Sequence, residues 1–337
     1  MLSLICRLTA FAVVFVIATS GRAHAEATEV RISKGFGITY LPLYVMDHEK
    51  LFEKQAKAAG LGDIKVSWHL IDGAPQINDA VLAGALDIAG NGMPAFITIW
   101  SRSKDVSGGQ IQGIAGLSGM PLYLNTLNPN IKTLRDFTEK DKIAVTGVRT
   151  GLGAVILQMA VAKEFGIENY NKLDPYTVGL LHPDAYQAIV SGKTEINAHL
   201  ASPPFGALEL KLPNVHRIVN SVDVLGNIHL MAVFGPRKFL DANPKTTAAF
   251  LAALDEANGL IAKDKPKAAK IYAEASKVKV TPEEVLEIIS DKDMTFQATP
   301  NGSMQIADFL HKIGTIKNKP AEWKDMFVPA MQSRPGS

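Results

Sequence analysis

Two periodicities of apolar residues alternate along this chain. Ile64, Val66, Trp68 and Leu70 recur at every second position, with Lys65, Ser67 and His69 between them, the pattern of a half-buried strand. Val30 and Ile32 alternate in the same way further upstream. Ile77, Ala80, Val81 and Gly84 instead fall at i, i+3, i+4 and i+7, which predicts a helix with one apolar face. Leu152, Val155, Ile156 and Met159 repeat that spacing directly after Gly151. From about Pro236 onward the pattern is mostly helical. Thr281-Pro282-Glu283-Glu284-Val285 opens one such segment: Thr281 reads as its N-cap, Pro282 as its first helical residue, and the two glutamates sit where the helix dipole favours acids. Alternation of the two periods predicts an α/β fold with helices packed on a sheet.

One stretch occurs twice. Pro75 to Ile88 resembles Pro183 to Ile196, sharing proline, alanine, a β-branched residue, glycine (Gly84, Gly192), an acid (Asp87, Glu195) and isoleucine at one constant offset. After a one-residue slip, Pro94-Ala95-Phe96 matches Pro203-Pro204-Phe205. Each copy reads as helix, glycine stop, short strand and proline-bearing loop. We read them as parts of two related lobes. Ligands of open α/β sheets bind beyond the carboxyl ends of the strands. The loops Gly90 to Pro94 and Leu200 to Pro204 lie there in the two copies, so two facing lobes form a cleft that can close by hinge motion.

Composition narrows the setting. Arg7 precedes an apolar run from Leu8 to Thr19, and Ala23-His24-Ala25 follows as a cleavage pattern. The run is shorter than the ~20 residues of a spanning helix, so residues 1–25 read as a signal peptide cut after Ala25. Cys6, the single cysteine, lies before the run, which excludes a lipid anchor at the cut and, in the mature chain, disulfides and a thiol nucleophile. A secreted, unanchored protein of this kind is expected in the periplasm. Losing Arg7 and Arg22 brings the net charge of +2 to about zero. No basic block points to nucleic acid. The 337 residues exceed one ordinary core, so two domains are expected.

Several stretches together resemble the nitrate/sulfonate/taurine class of ABC-transporter substrate-binding proteins, related to proteins that bind thiamine-pyrimidine precursors. They are Phe36-Gly37-Ile38-Thr39-Tyr40-Leu41-Pro42 after the first strand, Gly84 to Ile88, Gly192 to Ile196, and Lys142 to Val145 leading into Arg149-Thr150-Gly151. Gly166-Ile167 and Asn243-Pro244 complete the set, which covers nearly all of residues 28 to 330. The resemblance implies a two-lobed periplasmic-binding-protein fold (type 2) with the ligand cleft between the lobes. Crossovers are then expected near residues 118–122 and 222–228, with 26–118 plus 226–337 as one lobe and 119–225 as the other. It implies an ABC importer's binding component that passes a small, anionic, sulfonate-, nitrate- or carboxylate-like molecule to a permease with its ATPase. Such a protein works as a monomer and without a cofactor. Glu195 stands where an aspartate is usual, Arg149 where small hydroxyl residues often sit, and Pro203-Pro204 is doubled. The alternatives are an enzyme on the same fold that makes or modifies a thiamine-pyrimidine precursor, or a periplasmic ligand sensor. The enzyme would need a cysteine-rich iron motif, which the mature chain lacks.

Candidate ligand contacts follow from these loops. Asn91-Gly92-Met93 and Ser118-Gly119 follow strands and offer amide and hydroxyl groups, although such pairs also make plain turns. Gly73 after the strand ending near Ile71, Tyr40 in the first loop, and Ser202 in the second repeat's loop join them. Thr150-Gly151 opens a helix whose free N–H groups attract anions, with Arg149 beside it as a two-point clamp or a solvated bystander. His182, His199 and His229 lie near the expected cleft and are either contacts or structural residues. No histidines pair at i, i+4 and no mature cysteine joins them, so no metal site is expected. Ser191-Gly192-Lys193-Thr194 imitates the end of a P-loop, but Gln187 stands where its first glycine belongs. Gly116-Leu117-Ser118-Gly119-Met120 fails as a nucleophile elbow at Met120.

Overall fold

A computed structural model describes residues 26–337; the signal-peptide expectation for residues 1–25 lies outside them. Among the described residues eleven strands form two sheets. β1 (Glu29–Lys34), β2 (Lys65–Leu70), β3 (Ile88–Gly92), β4 (Ile111–Gly119), β10 (His229–Pro236) and β11 (Thr295–Phe296) make a six-stranded sheet in the order β11-β4-β10-β3-β1-β2. β5 (Tyr123–Thr126), β6 (Lys142–Val145), β7 (Thr177–Gly179), β8 (Ile196–Ala201) and β9 (His216–Asn220) make a five-stranded sheet in the order β7-β6-β8-β5-β9. The chain passes from the first sheet to the second between Gly119 and Tyr123 and returns between Asn220 and His229.

The strand period read at 64–70 is β2, which pairs in parallel with β1 from Glu29↔Lys65 to Lys34↔Leu70. The two copies of the repeat occupy equivalent places, one in each sheet. Helix Ala74–Leu82 leads into β3 and helix Met93–Ser103, while helix His182–Ser191 leads into β8 and helix Phe205–Glu209. The shared glycines end their helices: Gly84 has φ +70° and Gly192 φ +59°, the left-handed conformation that glycine adopts without penalty. The shared acids differ in role. Asp87 accepts two bonds from the Arg31 guanidinium, at 2.9 and 2.7 Å, and one from the Arg31 backbone N–H at 2.8 Å, tying β1 to β3. Glu195 is exposed.

The first lobe's core closes around Phe96, whose ring lies 5.2 Å from Phe234 and 5.4 Å from Phe327. Phe327 reaches that position because the Val328 N–H donates to the Gly113 carbonyl at 2.8 Å, bringing the C-terminal segment onto β4. No helix among the described residues is long and apolar enough to cross a membrane. Thr281 caps helix Pro282–Ile289 as its sequence implies. Its hydroxyl accepts from the Glu284 N–H at 3.2 Å, and the Glu284 carboxylate accepts in return from the Thr281 N–H at 3.1 Å. Thr281→Ala is expected to lower unfolding free energy by about 1 kcal/mol, the usual worth of such a cap, measured by urea denaturation. An unchanged midpoint would show that the box contributes nothing in this helix.

Candidate functional site

The two repeat loops face each other across a small cavity of about 40 Å³. The first lobe lines it with Thr39, Tyr40, Asp72, Gly73 and the end of β3 at Asn91 and Gly92; the second contributes Thr146, Leu152, Gly153, His182 and Ser202. The lobes touch at its rim. The Ile38 N–H donates to the Pro203 carbonyl at 3.1 Å. A Cβ built on Gly92 would stand 2.8 Å from the Leu152 Cβ.

Four helices begin at this cavity. Gly73, Gly92, Gly151 and Leu181 are the N-caps of helices Ala74–Leu82, Met93–Ser103, Leu152–Phe165 and His182–Ser191. In none of them does the N-cap side chain take a backbone N–H of the first turn. Each end therefore keeps free donors and its share of positive helix dipole. No lysine or arginine lines the cavity. The one acid is Asp72, whose carboxyl burial pushes up to about 6, opposed by a bond from the Gly73 backbone. Tyr40 is buried beside it, and burial followed by the Asp72 charge holds its phenol well above the ordinary value, so it remains a donor. Gly35 and Gly90 flank the Tyr40 ring so closely that a Cβ on Gly35 would overlap it at 2.7 Å, which explains why both neighbours lack side chains.

The residues singled out in the sequence fall into three places. Tyr40, Gly73, Asn91, Gly92, His182 and Ser202 line the cavity. The Asn91 side chain is engaged within the first lobe, donating to the Ala74 carbonyl at 3.2 Å and accepting from the Gly92 N–H at 2.8 Å. A second group lies behind the wall. Met93 is buried at the start of its helix, and the Ser118 hydroxyl donates to the Thr39 carbonyl at 2.8 Å, which anchors the loop carrying Tyr40. A Cβ on Gly119 would meet the Ile228 carbonyl at 2.8 Å, and one on Gly151 would collide with the Thr146 carbonyl. His199 is fully buried beneath His182. His229 is buried on β10, where burial pushes its imidazole down to about 4 and keeps it neutral, the Thr299 backbone opposing.

The third group lies outside. Arg149 is exposed, in a left-handed turn with φ +67°, and its charge weakly favours the ionised form of Asp174. Thr150 lines a separate surface hollow with Pro75 and Arg102. Asp72, Thr39 and Thr146 were not singled out beforehand. Asp72 could have been: it is the acid between the end of a strand and a glycine that opens a helix. Among the described residues no group of three or more His, Cys, Asp or Glu side chains is placed to hold a metal ion.

No known family model matches the chain, and no curated protein sequence matches it. Solved structures do. The alkanesulfonate-binding protein SsuA from Xanthomonas axonopodis pv. citri, bound to MOPS, superposes with a TM-score of 0.66 at 17% identity, over 87% of this chain and 96% of that one. The periplasmic aliphatic sulphonate-binding protein SsuA from Escherichia coli gives 0.64 at 16% identity, over 91% and 99%. The periplasmic nitrate-binding protein NrtA from Synechocystis PCC 6803 gives 0.68 at 14% identity, over 89% and 84%. These are the proteins to which the sequence motifs pointed, and the chain has the periplasmic-binding-protein fold that they share.

Proposed function

We propose that this chain is an extracytoplasmic solute-binding protein that closes its two lobes on a small oxyanion and delivers it to a membrane importer, a permease with its ATPase. The observation that carries the reading is the meeting of four helix N-termini, uncapped by side chains, at one cavity lined from both lobes. Such termini supply N–H donors and positive potential to an anion without any cationic side chain. Hydroxyl donors from Thr39, Thr146, Ser202 and Tyr40 surround the same space. The fold shared with sulfonate- and nitrate-binding proteins supports the same class of solute. Among the described residues no hydroxyl lining the cavity is hydrogen-bonded to an imidazole or a carboxylate, the pairing that nucleophilic catalysis uses, and binding alone is the chemistry proposed.

A thermal-shift series with methanesulfonate, nitrate, acetate and a pyrimidine tests the reading. A ligand held by the folded state alone stabilises it by about 2.7 kcal/mol at a hundredfold excess over Kd. Small-angle scattering should then show a smaller radius of gyration with the stabilising anion than without it. If none of the three oxyanions raises the melting temperature while the pyrimidine does, the anion assignment fails and the binding role stands.

A further inference from the structure

Behind the second lobe's wall runs a chain of three buried ionisable side chains. Glu209, at the end of helix Phe205–Glu209, places Oε1 2.5 Å from His199 Nδ1 on β8, and both side chains are fully buried. His199 Nε2 lies 2.9 Å from His182 Nδ1. The other oxygen of Glu209 accepts from Asn125 Nδ2 at 2.9 Å. His182 is the first residue of helix His182–Ser191, its ring stacks on Phe205 at 5.5 Å, and it lines the cavity. With Nδ1 engaged by His199, Nε2 is the nitrogen left for a solute.

Charge decides which way the protons run. Among the described residues His199 is the only cationic partner within reach of the Glu209 carboxylate. A bare carboxylate buried among neutral groups costs several kcal/mol. Two arrangements keep the cluster neutral: an imidazolium at His199 against an ionised Glu209, or a protonated Glu209 donating to His199 Nδ1. In both, His199 Nε2 carries a proton and donates it to His182 Nδ1. His182 itself stays neutral, because burial and then the His199 charge push its imidazole well below the ordinary value. Its one proton therefore sits on Nε2. We propose that Glu209 and His199 are positioning residues that hold His182 as an Nε2–H donor into the cavity, and that His182 is the second lobe's recognition residue for an acceptor oxygen of the solute. This rests on the solute-binding reading above and adds to it the side chain that reads the solute, together with the reason its proton is on that atom.

The test is the tautomer itself, read in the full folded chain labelled with 15N-histidine by long-range 1H–15N correlation at pH 7. The expected spectrum shows His182 protonated at Nε2 and bare at Nδ1, and His199 protonated at Nε2. His182 found protonated at Nδ1 with a bare Nε2 overturns the proposal, with no ligand needed. His199→Phe should leave His182 as a tautomer mixture and weaken binding of the oxyanion that stabilises the wild type about tenfold. Glu209→Gln should keep the wild-type tautomer, since its amide can donate to His199 Nδ1 while its carbonyl accepts from Asn125, and should bind within about twofold of wild type. Saturating methanesulfonate, nitrate or acetate, whichever raises the melting temperature, should move the His182 Nε2–H resonance. If that anion binds and the resonance stays in place, His182 is not the recognition residue. If no oxyanion binds while the tautomers are as expected, the solute assignment falls and the positioning of His182 stands.

Discussion

Gly92→Ala should fold normally and bind its solute about 10- to 100-fold more weakly than wild type. Gly92 has φ −60° and ψ 140°, an extended conformation that alanine adopts freely, so the substitution is not strained within its own lobe. The obstacle lies across the cleft. The new methyl would stand 2.8 Å from the Leu152 Cβ, at the first residue of a helix belonging to the other sheet. Overpacking of this kind costs about 1–3 kcal/mol, and under the proposed opening and closing of the lobes it falls on the closed arrangement alone. A protein whose binding-competent form is less populated binds more weakly in the same proportion. The melting temperature without solute should stay near wild type while calorimetric affinity for the stabilising anion drops. Adding Leu152→Gly removes the opposing Cβ and should restore most of the affinity. A Gly92→Ala protein with unchanged affinity would mean that the two helix ends need not meet for binding.

Asp72→Asn should stabilise the protein above pH 6 by about 2–3 kcal/mol and leave it unchanged below pH 4. The sign follows from the carboxyl's raised value. In the folded protein it holds its proton up to about pH 6, whereas in the unfolded chain it releases it near 3.8. Stability therefore falls as pH rises between those values and levels off above 6, by about 1.4 kcal/mol per unit of difference. Asparagine keeps the shape and never ionises. Urea unfolding at pH 4 and pH 8 measures the two increments, and equal increments would sink the argument. The same group bears on binding. Below pH 6 a protonated Asp72 is one more donor at the cavity; above it, a carboxylate repels an anion. Affinity for an oxyanion should fall by up to about tenfold per pH unit above 6, and Asp72→Asn should abolish that dependence.

The architecture was readable because it is written in local periods. The two-residue spacing that ends at Leu70 falls on β2, and the helical spacing that begins at Ile77 falls on helix Ala74–Leu82, with Gly84 just past its end. The repeat was legible because Gly84 and Gly192 answer the same demand, a left-handed helix stop. The cavity was less so, since its walls depend on how two distant loops meet. Arg149 stands two residues before Gly151, the N-cap of a helix that does face the cavity, yet it sits in a left-handed turn and is exposed to solvent. No spacing records that turn. Asp72 escaped notice for the opposite reason: an acid before a glycine is common in turns, and only burial makes this one unusual. The coupling of His182 through His199 to Glu209 joins residues from two helices and a strand, so a scan for i, i+4 pairs passes over it.

The contact between the Ile38 N–H and the Pro203 carbonyl has a bearing on how such a protein can diversify. It is made by main-chain atoms on both sides, so almost any replacement at either residue that preserves the local path leaves it in place. The side chains inside the cavity can then change from one descendant to another while the lobes keep the same docking point. Under the proposed function, solute preference and the act of closing are in that sense heritable separately: a lineage can exchange His182 or Asp72 for other groups without relearning how to shut.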